Sequence, residues 1–146
     1  MQNESQVVAI GHVIQLAVAP VFLLTGVSGL LAVLTNRLAR IIDRARTLED
    51  RLGSTTEPEK QRYHDELGLL SVRARRINTS VSLCTLCALL ICTVIVALFV
   101  GAFLSTDLSV LIGLLFTGSM LALFSGLVSF LREVYVATRS LRIGPH

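Results

Sequence analysis

Residues 13–52, "VIQLAVAPVFLLTGVSGLLAVLTNRLARIIDRARTLEDRL", join an apolar segment directly to an arginine-rich one. The first part, residues 13–35, has no charged side chain, whereas the second part, residues 36–52, has five arginines. Nothing between the two parts predicts a break in a helix. Because about 20 helical residues cross a hydrocarbon core of about 30 Å, we predict one helix that crosses a membrane and continues beyond it.

The remainder of the chain has the composition of a one-domain membrane protein. Only 16% of the residues are charged and 53% are hydrophobic, which excludes an ordinary soluble domain. Asp107 is the only charged residue between Arg76 and Arg132, which leaves room for two more spans. No basic residue precedes the first span, so we expect it to be retained rather than removed as a signal peptide. We predict an all-α membrane protein with three transmembrane helices at residues 10–35, 80–104 and 108–131, a turn at 105–107 and a helix end at 132–143.

Basic residues are confined to two segments of the chain. Ten of the thirteen Lys and Arg residues lie at positions 37–76, and the other three lie at or after Arg132. Short basic segments beside spans stay on the cytoplasmic side. We therefore predict that the N-terminal side and the turn at 105–107 face out, while residues 36–79 and 132–143 face the cytoplasm. A net charge of +3 then describes a surface for anionic lipid headgroups rather than for nucleic acid.

Residues 36–79 have the pattern of an antiparallel helical hairpin with its turn at 53–56. We expect Gly53 to end the first helix in the left-handed conformation and Thr56 to cap the second. Each arm carries apolar residues in alternating steps of three and four, which is a heptad seam. The two seams are Leu34, Leu38, Ile41, Ala45, Leu48 and Leu52 on the first arm, and Tyr63, Leu67, Leu70, Ala74, Ile77 and Val81 on the second. A single register, with Leu48 opposite Leu67, matches all of these layers.

The same register predicts which charged residues meet across the hairpin. It puts Arg51 near Glu66, which is favourable, and Arg44 near Arg73, which is mildly destabilising. Three explanations remain open for the second pair. The side chains splay into water, neighbouring aspartates soften the repulsion, or an anion or acidic partner group is held there.

The third helix shows two candidate packing faces. A seam continues past the apolar stretch and predicts that this helix packs on the hairpin to form a short three-helix bundle. Its residues are Leu127, Phe130, Val134, Ala137 and Leu141. Within the apolar stretch, small residues permit the close approach of another helix. These are Gly118, Ala122, Ser125 and Ser129.

The first span has a stripe of small and polar residues on the side away from the hairpin seam. The stripe consists of His12, Gln15, Ala19, Phe22, Gly26, Gly29, Val33, Asn36 and Arg40. One interpretation is a tight helix–helix contact, either within the subunit or between copies. The other is a narrow polar pathway through an oligomer, with the arginines forming a basic inner vestibule. We refer to these residues below as the α1 stripe.

Six arginines are candidates for anion or lipid headgroup contacts: Arg37, Arg40, Arg44, Arg73, Arg75 and Arg76. Arg37, Arg40, Arg75 and Arg76 flank the inner ends of the first two spans, where long cationic side chains reach headgroups. Arg44 and Arg73 lie further from the hydrocarbon. We expect the first four mainly to anchor and orient the protein.

No residues with catalytic spacing are found in the sequence. The chain has no intramembrane carboxylate pair, no Ser or Cys beside a His, and no phosphate-binding glycine loop. Cys84, Cys87 and Cys92 lie in the second span without other metal ligands nearby, so we expect them to pack as small apolar side chains. We therefore expect no enzyme activity, no cofactor and no metal.

The motif "APVFLLTGVSGLLAVLTNRLARIIDRAR" at 19–46, with "RARRI" at 73–77, resembles a family of small bacterial integral-membrane proteins. That family is known only as a domain of unknown function. The three-span layout extends the likeness to the whole chain, and the resemblance implies a place in the bacterial inner membrane. The positions that carry the motif after the glycines are Asn36, Arg37, Leu38, Arg40, Asp43 and Arg44.

The predicted topology is also loosely similar to the ring-forming proton-channel subunits of flagellar stators and energy transducers. This likeness is one of architecture alone and transfers no function. Two hypotheses follow. The first is a homo-oligomeric structural or regulatory membrane protein whose cytoplasmic hairpin binds a protein partner. The second is an oligomeric ion channel or pore lined by the α1 stripe.

Overall fold

The computed structural model describes residues 2–53, 56–104 and 107–140, with side chains at 7–53, 56, 59–104 and 107–135. In this part of the chain three α-helices follow one another: α1 Gln2–Leu52, α2 Glu57–Leu104 and α3 Ser109–Ser140. Each of them is long and apolar enough to cross a membrane. The prediction of an all-α protein with three candidate spans is therefore confirmed.

Helix α1 includes both the uncharged and the arginine-rich part of residues 13–52. It runs without a break from Gln2 to Leu52 and passes through Pro20. The prediction that the helix of the first span continues into the arginine-rich segment is thus confirmed. The sequence predicts this continuity because the heptad seam that begins at Leu34, in the first part, keeps its spacing through the second part.

The helix boundaries agree with the predicted turns, with one exception. The Thr56 carbonyl accepts hydrogen bonds from the amides of Glu59 at 3.1 Å and Lys60 at 3.3 Å, as expected of a residue that begins a helix. Gly53 lies in a turn, but its φ is outside the left-handed region, so the predicted left-handed cap is wrong. Parts of the two predicted turns (54–55 and 105–106) and of the predicted helix end (141–143) lie outside the described residues.

The chain divides into two compact units, each built from a part of every helix. The first unit comprises residues 1–31 and 83–124. Its core is centred on α2, where Cys84, Cys87, Ile91 and Val94 are almost inaccessible. In α3, Ser119 and Ala122 are buried, and a Cβ atom at Gly118 would lie 3.8 Å from Cδ1 of Leu90. The two buried thiols are free and take the place of small apolar side chains in this core.

The second unit comprises residues 32–82 and 125–146 and contains the predicted hairpin arms. Leu34 and Leu48 are buried on α1, and Leu70 and Ile77 are buried on α2. Every other residue of the two predicted seams is half-buried. The heptad pattern thus identified the inward faces of both arms, as expected when apolar residues recur on one side of a helix.

The inward face of α3 in this unit differs from the predicted one. Leu127 is exposed, whereas Gly126 and Glu133 are buried. The remaining predicted seam residues are Phe130 and Val134, which are half-buried, and Ala137 and Leu141, whose side chains lie outside the described part. The predicted seam is therefore wrong by about one residue, since Glu133 rather than Val134 occupies the most enclosed position.

Most of the apolar surface of the three helices is not covered by the chain itself. Within their most hydrophobic windows, only 11%, 28% and 17% of the residues of the first, second and third candidate spans are buried. Such large exposed apolar areas are unstable in water, so lipid or further subunits must cover them.

Candidate functional site

A buried glutamate of α3 joins two arginines of α2 in the second unit. Oε1 of Glu133 accepts a hydrogen bond from Nε of Arg73 at 2.9 Å. Nη1 of Arg76 lies 3.8 Å from Oε2 of the same carboxylate. Arg73 and Arg76 are three residues apart on a helix and therefore project from the same face. We call these three residues the Glu133 centre.

The charge of Glu133 is balanced, but its hydrogen bonding is incomplete. Glu133 is 2% exposed, and among the described residues its Oε2 atom has no hydrogen-bond partner. A buried carboxylate is tolerated only when it is paired, because its desolvation is costly. Arg73 supplies the hydrogen bond, whereas Arg76 supplies positive charge from beyond hydrogen-bond distance.

Sequence reasoning missed Glu133, although a signal was present. The small residues Ala122 and Ser129 were assigned to a packing face, and a further step of four from Ser129 reaches Glu133. A carboxylate on a packing face requires a cationic partner on the facing helix. Helix α2 precedes α3 in the chain, and its arginine cluster at 73–76 is the basic segment that an antiparallel arrangement of the two helices brings close to Glu133.

A second ion pair joins the two hairpin arms at the surface. Nη2 and Nε of Arg44 lie 2.6 Å and 3.0 Å from Oε1 of Glu66. The two side chains are 66% and 37% exposed, so solvent screening keeps this pair weak. Arg44 and Arg73 each bind a carboxylate of their own. Of the three explanations left open for these two arginines, the contacts agree with the one in which an acidic group is held there. The predicted proximity of Arg51 to Glu66 stays a prediction.

The remaining candidate arginines are positioned along the same unit. The guanidinium carbon of Arg37 lies 5.1 Å from the ring centroid of Phe130, which links α1 to α3 by a cation–π contact. Arg40 and Arg75 are exposed. Together with the Arg44–Glu66 and Arg73–Glu133 pairs, this contact means that arginines link all three pairs of helices in the second unit.

The α1 stripe is exposed at all nine of its residues, from His12 to Arg40. At Gly26 and Gly29 an added Cβ atom would meet no other atom within 4 Å. Within the part of the chain that the structure describes, Gly26 and Gly29 of this face are therefore not packed against another helix.

The predicted close-packing face of α3 is buried in one part and open in another. In the first unit Ala122 is buried and Gly118 is half-buried beside Leu90. In the second unit Ser125 is exposed and Ser129 borders an open groove. Among the described side chains, no group of three or more His, Cys, Asp or Glu residues is arranged to hold a metal ion.

A family model for a protein of unknown function, DUF2721, matches residues 17–143. The chain belongs to this family. The DUF2721 match includes every arginine contact described above, as well as the α1 stripe from Ala19 onward. His12 and Gln15 precede it. Comparison with curated proteins and with solved structures gives no match.

Proposed function

We propose that this DUF2721 protein is a subunit of a symmetric homo-oligomer in the bacterial inner membrane, with a structural or regulatory role. The observation that carries the proposal is the exposure of the complete α1 stripe. In lipid, helices associate through small residues and interhelical hydrogen bonds, since apolar character alone gives no preference for protein over lipid. The α1 stripe offers both features and is exposed at all nine of its residues in the described part of the chain.

Gly26 and Gly29 are the centre of the proposed subunit contact. Both are exposed, and the space beside each is open. Glycine lowers helix stability by about 0.8–1.0 kcal/mol relative to alanine. Glycines three residues apart on an empty face therefore indicate that another backbone approaches there, as in close-packed membrane helices.

The proposed orientation follows from the basic residues. The second unit contains ten of the thirteen Lys and Arg residues at positions 37–76, and three more lie at or after Arg132. The positive-inside rule assigns these segments to the cytoplasm. Anionic headgroups of the inner leaflet then bind the exposed arginines, including Arg40, Arg75 and Arg76.

The cytoplasmic arms are proposed to bind a protein partner or a neighbouring subunit. Ile42, Leu69 and Val72 lie outside the uncharged stretches, yet 40%, 69% and 51% of their surfaces are exposed. Large apolar side chains on an otherwise polar hairpin are typical of contact surfaces. This role requires no catalytic group.

An ion channel or pore lined by the α1 stripe is the second candidate. The exposure of Gln15 favours it, because an amide at this position in a span needs either a protein partner or water. Phe22 argues against a continuous aqueous path, since this bulky apolar side chain is 74% exposed in the middle of the stripe. We therefore favour a packed interface.

The number of subunits tests the proposal directly. Native mass spectrometry of the full chain in a mild detergent should give an oligomer of one size. Gly29→Leu should shift that oligomer toward monomer, because the new side chain fills the space needed by the partner helix. The same substitution should stabilise each helix by up to about 1 kcal/mol, so misfolding cannot account for dissociation.

Gly113→Leu is the matched control, because Gly113 is exposed on α3 and also has open space beside it. This variant should remain oligomeric. A wild-type protein that is monomeric at every concentration, or equal dissociation of both variants, would overturn the proposal. Anion flux into liposomes that is lost on Gln15→Leu substitution would instead favour the pore.

A further inference from the structure

We infer that a groove beside the Glu133 centre binds the phosphate group of an anionic phospholipid. The groove has a volume of about 800 Å³ and is lined by Arg76, Thr79, Ser129, Leu131, Arg132 and Tyr135. All of these residues belong to the second unit. The inference rests on the membrane placement proposed above, but not on subunit association.

The position of the groove follows from two boundaries in the sequence. Arg76 is the last charged residue before the uncharged stretch of α2, and Arg132 is the first after the apolar stretch of α3. The structure brings both boundaries to one groove. In a membrane-spanning chain such a boundary lies at headgroup level, where arginine and tyrosine side chains are favourable.

The charge at the groove favours an anion. Arg73, Arg76 and Arg132 carry three positive charges, and Glu133 carries one negative charge, which leaves an excess of two positive charges. Arg76 is 48% exposed and approaches Glu133 only to 3.8 Å, so the ion pair does not commit its N–H donors. Guanidinium groups bind phosphate through pairs of parallel hydrogen bonds.

Glu133 lowers the repulsion among the arginines beside the groove. Its carboxylate binds Arg73 at 2.9 Å and lies 3.8 Å from Arg76, so it offsets one of their positive charges. The carboxylate itself is buried and does not line the groove. An incoming phosphate therefore meets the exposed arginines rather than the acid.

The groove also offers the surroundings of a lipid rather than of a free anion. Leu131 is 67% exposed and lies next to Arg132, so an acyl chain can lie against α3 below the phosphate. The Thr79 hydroxyl donates to the Arg75 carbonyl at 3.0 Å, which leaves its oxygen as an acceptor for a headgroup hydroxyl. Basic pockets between membrane helices on the cytoplasmic side bind anionic headgroups in this way.

The test is native mass spectrometry of the full-length protein in mild detergent, titrated with phosphatidylglycerol and, in parallel, with phosphatidylcholine and inorganic phosphate. We expect phosphatidylglycerol to bind at lower concentration than either. Arg132→Gln should weaken its binding about five-fold, the factor that corresponds to one basic residue near anionic lipid. Arg46→Gln is the matched control, because Arg46 is exposed on α1 and does not line the groove.

Ser129→Leu tests the groove without a change of charge. The larger side chain should obstruct the site and reduce phosphatidylglycerol binding to the level of Arg132→Gln. Equal binding of phosphatidylglycerol and phosphatidylcholine, equal loss in Arg132→Gln and Arg46→Gln, or binding of inorganic phosphate alone would each overturn the inference. The same spectra report the subunit number, so a monomer that keeps its lipid would refute only the proposed oligomer.

Discussion

Arg73 donates from Nε to Oε1 of Glu133 at 2.9 Å, across sixty residues of sequence and between two helices. The arginine side chain is 40% exposed, whereas the glutamate side chain is 3% exposed. The acid is therefore held inside the unit, and the base reaches it from the surface. Because Glu133 has little access to water, the pair matters more to stability than an ion pair on the surface.

Replacement of Glu133 with glutamine should destabilise the protein. The substitution keeps the size of the side chain but removes the charge that Arg73 and Arg76 share. Hydrogen bonds to charged groups contribute about 1.5–3 kcal/mol, and hydration of the half-exposed Arg73 recovers a part of this. We expect E133Q to lower the free energy of unfolding by about 1–2 kcal/mol, as measured by SDS titration of the protein in mixed micelles.

Glu49→Gln is the matched control for E133Q, because it makes the same chemical change at an exposed position of α1. Surface substitutions of this kind change stability by no more than about 0.5 kcal/mol. Equal destabilisation by the two variants would show that Glu133 has no special part in holding the helices together.

Substitution of Arg44 and Arg73 by glutamine should lower stability in both cases. A simple repulsion between these arginines would have predicted a gain, but each binds a carboxylate. Loss of the exposed Arg44–Glu66 pair should cost about 0.2–1 kcal/mol. Arg73→Gln should cost more, because it leaves the buried Glu133 without its hydrogen bond. A rise in melting temperature for either variant would contradict this assignment.

The long-range part of this arrangement could not be predicted from local patterns. Hydropathy and heptad spacing predict helices and inward faces because each depends on neighbours three or four residues apart. Those patterns succeeded for Leu34, Leu48 and Ile77. The burial of Glu133 depends instead on arginines sixty residues away, and a purely apolar criterion shifted the seam of α3 to Val134. Likewise, the small residues of the α1 stripe predict a contact surface, but local spacing does not identify a partner for it.

The start of α3 should make stability depend on pH in the acid range. Oδ1 of Asp107 accepts hydrogen bonds from the hydroxyl of Ser109 at 2.6 Å and from its amide at 3.0 Å. These two bonds, the hydroxyl's more than the amide's, lower the pKa of Asp107. A depressed pKa in the folded state stabilises the fold above the unfolded pKa, and this stabilisation is lost as the pH falls through the folded value.

Asp107→Asn removes the charge and keeps an acceptor oxygen, so the difference in stability between wild type and variant measures the contribution of the charge. We expect a constant difference at neutral pH that begins to shrink near the unfolded pKa of about 4 and is lost as the pH falls through the lower folded pKa. Asp50→Asn, at an exposed site on α1, serves as the control. Parallel stability curves for wild type and Asp107→Asn throughout the acid range would contradict the capping role.

The Arg44–Glu66 pair bears on the register of the hairpin. The predicted register, with Leu48 opposite Leu67, pairs all six layers of the two seams, whereas a register shifted by one heptad, with Ile41 opposite Leu67, pairs four of them. In the first, Arg44 lies five residues from the level of Glu66, or about 8 Å along the axis at 1.5 Å per residue. In the second, the offset is two residues, or about 3 Å. The observed contact of 2.6 Å therefore favours the second register.

Disulfide formation between paired cysteines distinguishes the two registers, because it requires Cα atoms within about 4.4–6.8 Å. In a background with Cys84, Cys87 and Cys92 replaced by alanine, Ile41→Cys with Leu67→Cys should crosslink readily under mild oxidation. Leu48→Cys with Leu67→Cys should crosslink poorly, and it is the matched control because it shares one partner and uses an equally apolar seam position. Reduction should reverse the crosslink. The reduced double-cysteine protein should then have the same melting temperature as before oxidation. Preferential crosslinking of the Leu48 pair would support the first register. The long side chains of Arg44 and Glu66 would then span the larger offset.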